Sequence, residues 1–470
     1  MPFCPRKDHL SLGEGFFDPV RPADFGPLKV RYFNSYAAAS VGLADLNSAE
    51  VERRFGRFDP FEGSLPQPLA LRYHGHQFRV YNPDIGDGRG FIYAQCLEEP
   101  SPKAGGKNKR LLDFGTKGTG TTPYSRSGDG RLTLKGAVRE WLATSLLAAQ
   151  GVPTSRTFAL VEDLDAQLMR GDEPSPARGA LLTRLSHSHI RFGTFQRLVY
   201  EERYEAVERL VRYCLKTYFQ CDETKLTTQE AVRTFYAEVI RRQALTVAAW
   251  MMAGFVHGVL NTDNMNITGE SFDYGPWRWL PTYDGGFTAA YFDQQGLYAY
   301  GRQPHAVAWN LSVLGGTLAT LHRETAPLTE LLQGYGDQLQ RATRAQFFWR
   351  TRLQPSGDTQ ADTALVEAAL KCLRAQQTPF ETLFYALSSD RRDLLTPEMA
   401  ALFAQRRAEP LDQGGLETLL IEEVEALWEP IAARDDWQPL QDKIKRLERL
   451  YDLRRAWEAP SVKHMEAPPV

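Results

Sequence analysis

Apolar positions along the chain follow two patterns, one typical of strands and one typical of helices. Between residues 70 and 135, short apolar runs alternate with glycine-rich turns, as in FRVYNPDIGDGRGFIYAQCL. This alternation predicts an antiparallel sheet of short strands joined by tight turns. Two more strands, TFALVE and GALLTRL, are predicted on either side of the polar loop DEPSPARG. The first half of the chain is therefore expected to be rich in β-structure.

One helix is predicted inside this strand-rich part. In KGAVREWLATSLLAAQG the apolar residues share one helical stripe, formed by Val138, Trp141, Leu142 and Leu146. Gly151 is expected to end the helix, because glycine readily adopts the left-handed backbone that often follows one. An earlier helix is expected over SAEVERRF.

After residue 200 the pattern is mainly helical. Thr227 and Glu230 have the spacing of a capping box, which predicts the start of a long helix over TQEAVRTFYAEVIRRQALTVAAWMMAGF. The stretch WRWLPTYDGGFTAAYF indicates short strands and turns, and residues 325–460 are again helical in pattern. The final APSVKHMEAPPV is expected to be a loose tail. This order predicts an α+β fold, with a small strand-rich lobe before a large helical lobe.

Composition narrows the class of protein. The 470 residues are 43% hydrophobic and 24% charged, and 55 basic against 58 acidic residues give a net charge of −3. Such a balance provides no global basic field, so no nucleic acid partner is expected. No secretory signal and no apolar run of 18 residues occurs, so no membrane span is expected. The five widely spaced cysteines indicate reduced thiols, and the expectation is a cytoplasmic enzyme.

Glycine clusters in the strand-rich part are candidates for nucleotide binding. Backbone N–H groups can surround phosphate oxygens where no side chain blocks their approach, and GDGRG offers Gly86, Gly88 and the guanidinium of Arg89. Lys117, in FGTKGTG, precedes the helical Glu140 by 23 residues. A strand lysine paired with a helix glutamate holds nucleotide phosphates in kinases. A tight hairpin with solvent-facing charges, and an exposed Lys and Glu, are the alternative interpretations.

The stretch HGVLNTDNMNI has the outline of a kinase catalytic loop, with one difference. His257 and Asn264 match the pattern, but the position of the catalytic aspartate is Val259, and an acid occurs instead at Asp263. Asp273 follows nine residues after Asn264 and opens DYGP, which resembles the Asp-Phe-Gly motif. Amide and carboxylate oxygens are ligands that Mg²⁺ prefers, so Asn264 and Asp273 predict a metal clamp. Two turn-forming residues are the alternative.

Two arginines and one pair of histidines complete the set of candidates. Arg184 and Arg191, seven residues apart in TRLSHSHIRFG, could clamp an anion or could be ordinary surface charges. His74 and His76, in YHGHQF, resemble metal ligands only superficially, since no carboxylate or cysteine at matching spacing accompanies them. A structural role is predicted for both histidines.

The motifs together resemble the selenoprotein O family, the YdiU-type pseudokinases. The resemblance rests on YHGHQFRVYNPDIGDGRG, TKGTGTTPYSRSGDGR, VREWL, TRLSHSHIRFGTFQ, HGVLNTDNMNI and DYGP, which occur in this order between about residues 70 and 300. It implies a protein kinase-like fold that transfers AMP from ATP to Ser, Thr or Tyr hydroxyls of proteins, itself included, with release of pyrophosphate. The family binds ATP in an orientation reversed relative to kinases.

The resemblance also implies roles for individual residues. Gly86, Gly88, Arg89, Asp129 and Gly130 would contact the nucleotide. Lys117 would bind phosphates and form an ion pair with Glu140, while Arg184 and Arg191 would bind the outer phosphates. Asn264 and Asp273 would bind Mg²⁺, and Asp263 would accept the proton. A reversed nucleotide would place the attacked phosphorus elsewhere. An acid at position 259, where this chain has Val259, would then not be needed for the reaction.

The resemblance further implies four parts of the chain. These are an N-terminal extension (1–69), a kinase-like N-lobe (70–198), a kinase-like C-lobe (199–325) and a helical C-terminal extension (326–470). The last cysteine is Cys372, so the tail offers no thiol for the redox control linked to this family.

Three other functions remain open from the sequence. They are an ordinary kinase acting on a protein or small molecule, a catalytically silent pseudokinase scaffold, and UMP transfer with Mn²⁺ in place of AMP transfer with Mg²⁺. Mn²⁺ accepts the same oxygen ligands as Mg²⁺.

Overall fold

The computed structural model describes residues 2–98, 109–171, 173–322 and 324–455. Its β-structure lies mainly before residue 190, and long helices follow. The strands are β1 (Pro5–Arg6), β2 (Phe17–Pro19), β3 (Leu28–Phe33), β4 (Leu69–Leu71), β5 (Gly75–Gln77), β6 (Val80–Asn82), β7 (Ile92–Glu98), β8 (Arg110–Lys117), β9 (Leu132–Thr133), β10 (Arg156–Leu168), β11 (Ala177–Ser186), β12 (Phe255–Val256) and β13 (Arg278–Trp279).

The helices connect and cover these strands. They are α1 (Ser35–Ser40), α2 (Ser48–Phe55), α3 (Leu134–Ala149), α4 (Phe192–Tyr200), α5 (Tyr204–Tyr218), α6 (Thr228–Ala253), α7 (Gln303–Leu318), α8 (Ala326–Gln333), α9 (Tyr335–Thr351), α10 (Thr359–Gln376), α11 (Phe380–Ser388), α12 (Pro397–Leu402), α13 (Ile421–Arg434) and α14 (Gln438–Arg454). The molecule is thus a mixed α+β protein with a β-rich first part and a helical second part, as predicted.

One antiparallel sheet organises the first part. Its strand order is β2-β4-β7-β8-β11-β10-β3, with β1 paired to β7 and β9 paired to β11. The predicted strands TFALVE and GALLTRL form the hairpin of β10 and β11. The first 69 residues contribute β1, β2 and β3 to this sheet, so the segment predicted as an extension is hydrogen-bonded into it.

Helix α3 packs against this sheet, and its sequence explains why. The four residues of the predicted stripe are all buried in one core cluster that also takes side chains from β10 and β11. Each buried large apolar side chain contributes about 1.5–3 kcal/mol relative to an exposed one. The ring of Trp141 stacks on Tyr32 of β3, with centroids 4.0 Å apart. Gly151 follows the helix in a left-handed conformation (φ +78°), as predicted.

Helix α6 precedes the candidate catalytic segment, HGVLNTDNMNI (257–267). Thr227 and Glu230 form the predicted capping box, and the helix is followed by Gly254, which has φ +64°. Beyond it, WRWLPTYDGGFTAAYF contains the two-residue strand β13, paired with β12, and otherwise turns and loops. The predicted loose tail lies outside the described residues.

Helices α13 and α14 return to the first part of the molecule. Helix α14 packs against α3, and the guanidinium of Arg454 donates to the carbonyl of Ala149 (3.2 Å). Among the described residues, no helix is both long enough and apolar enough to cross a membrane.

Candidate active site

The segment HGVLNTDNMNI (257–267) follows β12 and forms a buried loop, with Thr262–Asn264 as a single turn of 3-10 helix. His257 is buried, and its Nε2 donates to the carbonyl of Phe272 (3.0 Å). Burial lowers the pKa of His257, so the ring is neutral near pH 7. This hydrogen bond fixes the segment against the residue that directly precedes Asp273.

Asp263 is the acid within this segment. It is only 8% exposed, and its Oδ1 has no hydrogen-bond partner in the part of the chain that the structure describes. Burial raises the pKa of Asp263 to about 6; the nearby Arg191 opposes this shift and Asp273 adds to it. A buried carboxylate with a raised pKa and an unused oxygen is suited to accept a proton.

Lys117 lies between two carboxylates. It ends β8, and its Nζ is 2.7 Å from Oε2 of Glu140 on α3 and 2.8 Å from Oδ1 of Asp273. Arg184, on the neighbouring strand β11, is 3.4 Å from both Oε1 of Glu140 and Oδ1 of Asp273. The sheet, α3 and the loop after residues 257–267 thus bring two cations and two anions into one cluster, in which Asp273 is the partly exposed member.

The charge of Asp273 depends on this cluster. Burial alone would raise its pKa, but Lys117, Arg184, Arg191 and Arg89 together hold the pKa well below the usual range of a carboxyl group. The residue also has φ +63°, an uncommon backbone conformation for a residue other than glycine. Asp273 is therefore a carboxylate at every ordinary pH, as a metal ligand must be.

Arg191 connects the GDGRG segment to the candidate catalytic segment. Its guanidinium donates to the Tyr73 hydroxyl (2.9 Å), the Asp263 carbonyl (3.1 Å) and Oδ1 of Asp87 (3.1 Å). It also lies over the ring of Phe272, 5.0 Å from the centroid. The structure thus brings the two predicted arginines together around Asp273, although Arg191 already has protein partners.

The two histidines between these arginines contact two different carboxylates. His187 pairs through Nδ1 with Glu270, while His189 is buried, with its Nδ1 3.2 Å from Oδ2 of Asp113. Neither histidine is part of the cluster around Lys117.

The glycines of GDGRG are explained by close packing. A Cβ atom at Gly86 would lie 2.5 Å from the ring of Tyr124, and one at Gly88 would lie 2.9 Å from the Tyr124 carbonyl. At Gly90 it would lie 2.0 Å from the carbonyl of Thr116. Side chains at these three positions would therefore force the segment away from its neighbours. Contact of Gly86 and Gly88 with a nucleotide stays a prediction.

Of the other predicted nucleotide contacts, Arg89 and Asp129 lie at the surface, whereas Gly130 is buried. Arg89 is exposed, and its positive charge reaches Asp273 electrostatically. Asp129 is exposed and paired with Arg170 at 2.9 Å. Gly130 has φ +66°, and a Cβ there would lie 2.0 Å from the Gly120 carbonyl.

The two predicted metal ligands provide suitable atoms. The Nδ2 of Asn264 donates to the carbonyl of Val259 (3.1 Å), so its Oδ1 is the atom left to bind a cation. Asp273 adds a permanent carboxylate. Within the described residues no cluster of three or more His, Cys, Asp or Glu could hold a metal ion. Two oxygen ligands suit Mg²⁺ or Mn²⁺ if nucleotide oxygens and water supply the rest.

His74 and His76, for which a structural role was predicted, are both hydrogen-bonded within the protein. The Nδ1 of His74 is hydrogen-bonded to the Tyr81 hydroxyl (2.8 Å), and that of His76 to Nε2 of Gln196 (2.7 Å).

Several residues of the site were not predicted from the sequence. Asp87 stands inside the GDGRG motif, yet nothing in the sequence identifies Arg191 as its partner. Tyr73 and Thr262 are likewise ordinary residues within recognised motifs. Their contacts join positions far apart in the chain, 104 residues for Asp87 and Arg191.

Comparison with known proteins identifies the class. A family model described as "Protein adenylyltransferase SelO" matches residues 5–418. The chain belongs to the SelO family and is an enzyme of the nucleotidyltransferase class.

The chain is similar to several proteins named "Protein nucleotidyltransferase YdiU". The protein of Synechocystis sp. is 41% identical, over 93% of this chain and 96% of the relative. That of Synechococcus elongatus is 40% identical, over 93% of each chain. That of Vibrio cholerae is 36% identical, over 75% of this chain and 71% of the relative. The similarity therefore extends well beyond the motifs.

Proposed function

We propose that this enzyme transfers AMP from ATP to Ser, Thr or Tyr hydroxyls of proteins and releases pyrophosphate. The observation that carries the proposal is the cluster of Lys117, Glu140, Arg184 and Asp273, whose Asp273 carboxylate is close enough to Asp263 to act on it electrostatically. Membership of a family of protein adenylyltransferases supports it.

The cations of the cluster are suited to hold a triphosphate. Lys117 and Arg184 now share the carboxylate of Asp273, and a bound nucleotide would offer them phosphate oxygens instead. Glu140 keeps Lys117 in place during this exchange, because its Oε2 accepts from the same ammonium group. Phosphoryl and nucleotidyl transfers depend mainly on such positioning and charge neutralisation.

We further propose that ATP binds with its α-phosphate toward the acceptor hydroxyl. Val259 occupies the position of the kinase aspartate, so no acid stands where a γ-phosphate would be attacked. Arg184 and Arg191 would contact the outer phosphates of a nucleotide in this reversed orientation. Gly86, Gly88, Arg89, Asp129 and Gly130 would contact its remaining parts.

The acceptor hydroxyl attacks the α-phosphorus, and the bond between that phosphorus and the bridging oxygen breaks. The bridging oxygen leaves with pyrophosphate, and the hydroxyl proton goes to the carboxylate of Asp263. A divalent cation held by Asn264 and Asp273, Mg²⁺ or Mn²⁺, would neutralise phosphate charge when bound.

The fold that fits this chemistry is the two-lobe architecture of protein kinases. In this proposal residues 70–198 form the nucleotide-binding lobe and 199–325 the lobe with the catalytic segment. Residues 1–69 and 326–470 are additions to that core. The pairing of a strand lysine with a glutamate on the next helix supports the assignment.

The experiment that tests the proposal uses two forms of radiolabelled ATP. One carries the label at the α-phosphate and the other at the γ-phosphate, and each is incubated with enzyme, Mg²⁺ and a generic protein acceptor. Label on protein is expected only from the α-phosphate, and a parallel reaction with α-labelled UTP and Mn²⁺ tests UMP transfer. Asn264→Ala and Asp273→Ala are each expected to reduce transfer at least about a hundredfold, the typical effect of losing such charge stabilisation.

Label arriving only from the γ-phosphate would show a kinase and overturn the proposal. If no label transfers, thermal stabilisation by Mg-ATP distinguishes an enzyme without its acceptor from a scaffold that binds no nucleotide.

A further inference from the structure

A β-hairpin from the first part of the chain lies directly on the catalytic segment. Strands β5 and β6 pair antiparallel, and Phe78 and Arg79 form the turn between them. Both turn residues have positive φ, +49° and +66°, a conformation that usually requires Asn, Asp or Gly at these positions. Such local strain persists only where surrounding contacts impose it.

Contacts on both sides hold this turn in place. The ring of Phe78 packs against Tyr298 and Phe292, with centroids 5.0 and 5.8 Å apart. The guanidinium of Arg79 lies 5.4 Å from the centre of the Trp309 ring. The hairpin is therefore fixed against helix α7 and the loop before it.

Backbone N–H groups of the hairpin bond to side chains of the catalytic segment. The N–H of Phe78 donates to Oδ1 of Asn261 (3.0 Å), which also accepts from the Tyr298 hydroxyl (2.7 Å). The N–H of His76 donates to Oγ1 of Thr262 (2.7 Å). These bonds join the hairpin to the two residues directly before Asp263.

Thr262 is the centre of this arrangement. It is fully buried, and its hydroxyl accepts from His76 and donates to Oε1 of Gln196 on α4 (2.6 Å). The amide of Gln196 in turn bonds the ring of His76 (2.7 Å). One hydroxyl thus closes a ring of hydrogen bonds among a hairpin, a helix and the catalytic segment.

The hairpin also limits where the Asp263 side chain can lie. A Cβ atom added at Gly75 would stand 2.9 Å from Oδ1 and 3.1 Å from Cβ of Asp263. The backbone of Gly75 needs no positive φ, so the contacts with Asp263 and with Cδ1 of Ile85 (3.2 Å), rather than chain conformation, explain a small residue here. The side chain of Gln77, on the same hairpin, also lies beside this carboxyl group.

We infer that the β5–β6 hairpin positions the catalytic segment, with Thr262 as a positioning residue that holds Asp263 toward the acceptor hydroxyl. The inference rests on the proposed role of Asp263. It gives the YHGHQF motif a function that is distinct from nucleotide or metal binding.

Three variants test this inference on the full-length enzyme. Thr262→Val keeps the shape of the side chain but removes both hydrogen bonds, and kcat for label transfer is expected to fall about tenfold to a hundredfold. The Kd for Mg-ATP should stay within about twofold, because the Lys117 cluster is untouched. Thr262→Ser, which retains the hydroxyl, should restore kcat to within about threefold of wild type. Gly75→Ala, which pushes on Asp263 from the hairpin side, should also lower kcat.

The control is Thr351→Val. Thr351 is fully buried in α9, and its hydroxyl donates to the carbonyl of Phe347 (2.8 Å), away from the site. Losing it should lower thermal stability about as much as Thr262→Val does, with kcat unchanged. A kcat for Thr262→Val and Gly75→Ala within twofold of wild type would overturn the inference, as would parallel losses in kcat and Mg-ATP binding.

Hydrogen exchange provides a readout that needs no activity. In Thr262→Val the amides of residues 75–82 and 259–266 are expected to exchange at least about fivefold faster, and in Thr351→Val they should not. Unchanged exchange would contradict the positioning role even if the wild type transferred no label. Label transferred from γ-labelled ATP would overturn the proposed AMP transfer. The comparison of the Thr262 variants would still test the positioning role of Thr262.

Discussion

Lys117 shows how a single buried charge is stabilised in this protein. It is only 3% exposed, and the two carboxylates that contact it come from α3 and from the segment after residues 257–267. A buried ammonium without partners would be strongly disfavoured, and removing one member of a buried ion pair typically costs about 3–5 kcal/mol. Removing one charge of the cluster is therefore expected both to disturb the candidate site and to lower the stability of the fold around it.

Lys117→Met is expected to lower the rate of AMP transfer by about a hundredfold or more. The variant removes the ammonium that would hold phosphates, and it leaves Glu140 and Asp273 sharing Arg184 alone. The measurement is the initial rate of transfer from α-labelled ATP, with a thermal melt to confirm folding.

Lys135→Met is the matched control. Lys135 lies on the first turn of α3 and pairs with Glu425 near the surface (2.7 Å). Its loss should leave transfer within about twofold of wild type, since surface ion pairs contribute little. A Lys117→Met enzyme that retained more than a third of the wild-type rate would exclude the proposed role of Lys117.

At the scale of elements, α3 depends on the C-terminal helices. Helix α14 packs on α3, so its apolar residues complete the core around the helix that carries Glu140. The hydroxyl of Tyr32, the residue stacked on Trp141, also reaches Glu448 of α14 (3.3 Å). The last described helix thus supports α3, the helix that carries Glu140.

Leu447→Ala should lower the free energy of unfolding by about 2–5 kcal/mol. Leu447 is fully buried in the core shared with α3, and truncation leaves a cavity there. Urea denaturation measures the change. Lys445→Ala, at an exposed position of the same helix, should change stability by less than about 0.5 kcal/mol. Equal effects of the two substitutions would contradict this packing.

At the scale of the whole molecule, an ion-pair network joins the sheet to the loop before Asp273. His187, directly after β11, donates its backbone N–H to Glu270 (2.7 Å) and pairs with the same carboxylate through Nδ1. Its Nε2 lies 3.7 Å from Glu98 of β7. Burial alone would lower the pKa of His187, and Arg110 also lowers it, but Glu270 and Glu98 raise it above its usual value.

This shift predicts a dependence of stability on pH. A histidine with a raised pKa in the folded state contributes stability that is fully present below about pH 6.5, its unfolded pKa, and is lost as the pH rises through the folded pKa. The difference in free energy of unfolding between wild type and His187→Gln should therefore shrink from pH 6 to pH 9. Denaturation at a series of pH values measures it, and a constant difference would refute the predicted shift.

Helices and strands could be predicted from the sequence, whereas most contacts between distant residues could not. The capping box at Thr227, the buried stripe of α3 and the hairpin of β10 and β11 were predicted because each depends on neighbours close in sequence. The residue types of the site were also predicted, since ion pairs, metal clamps and phosphate sites need particular side chains. The pairing of Lys117 with Glu140 followed from that chemistry.

Only the tertiary structure decided which distant groups meet. Nothing local indicated that Asp273 would share Lys117 with Glu140, or that Arg191 would bond Asp87. The bond from His76 to Thr262 spans 186 residues. Such contacts depend on how the sheet, the helices and the loops pack together, a property of the whole chain. The sequence thus determined which chemical groups this enzyme has, and the fold determined where they act.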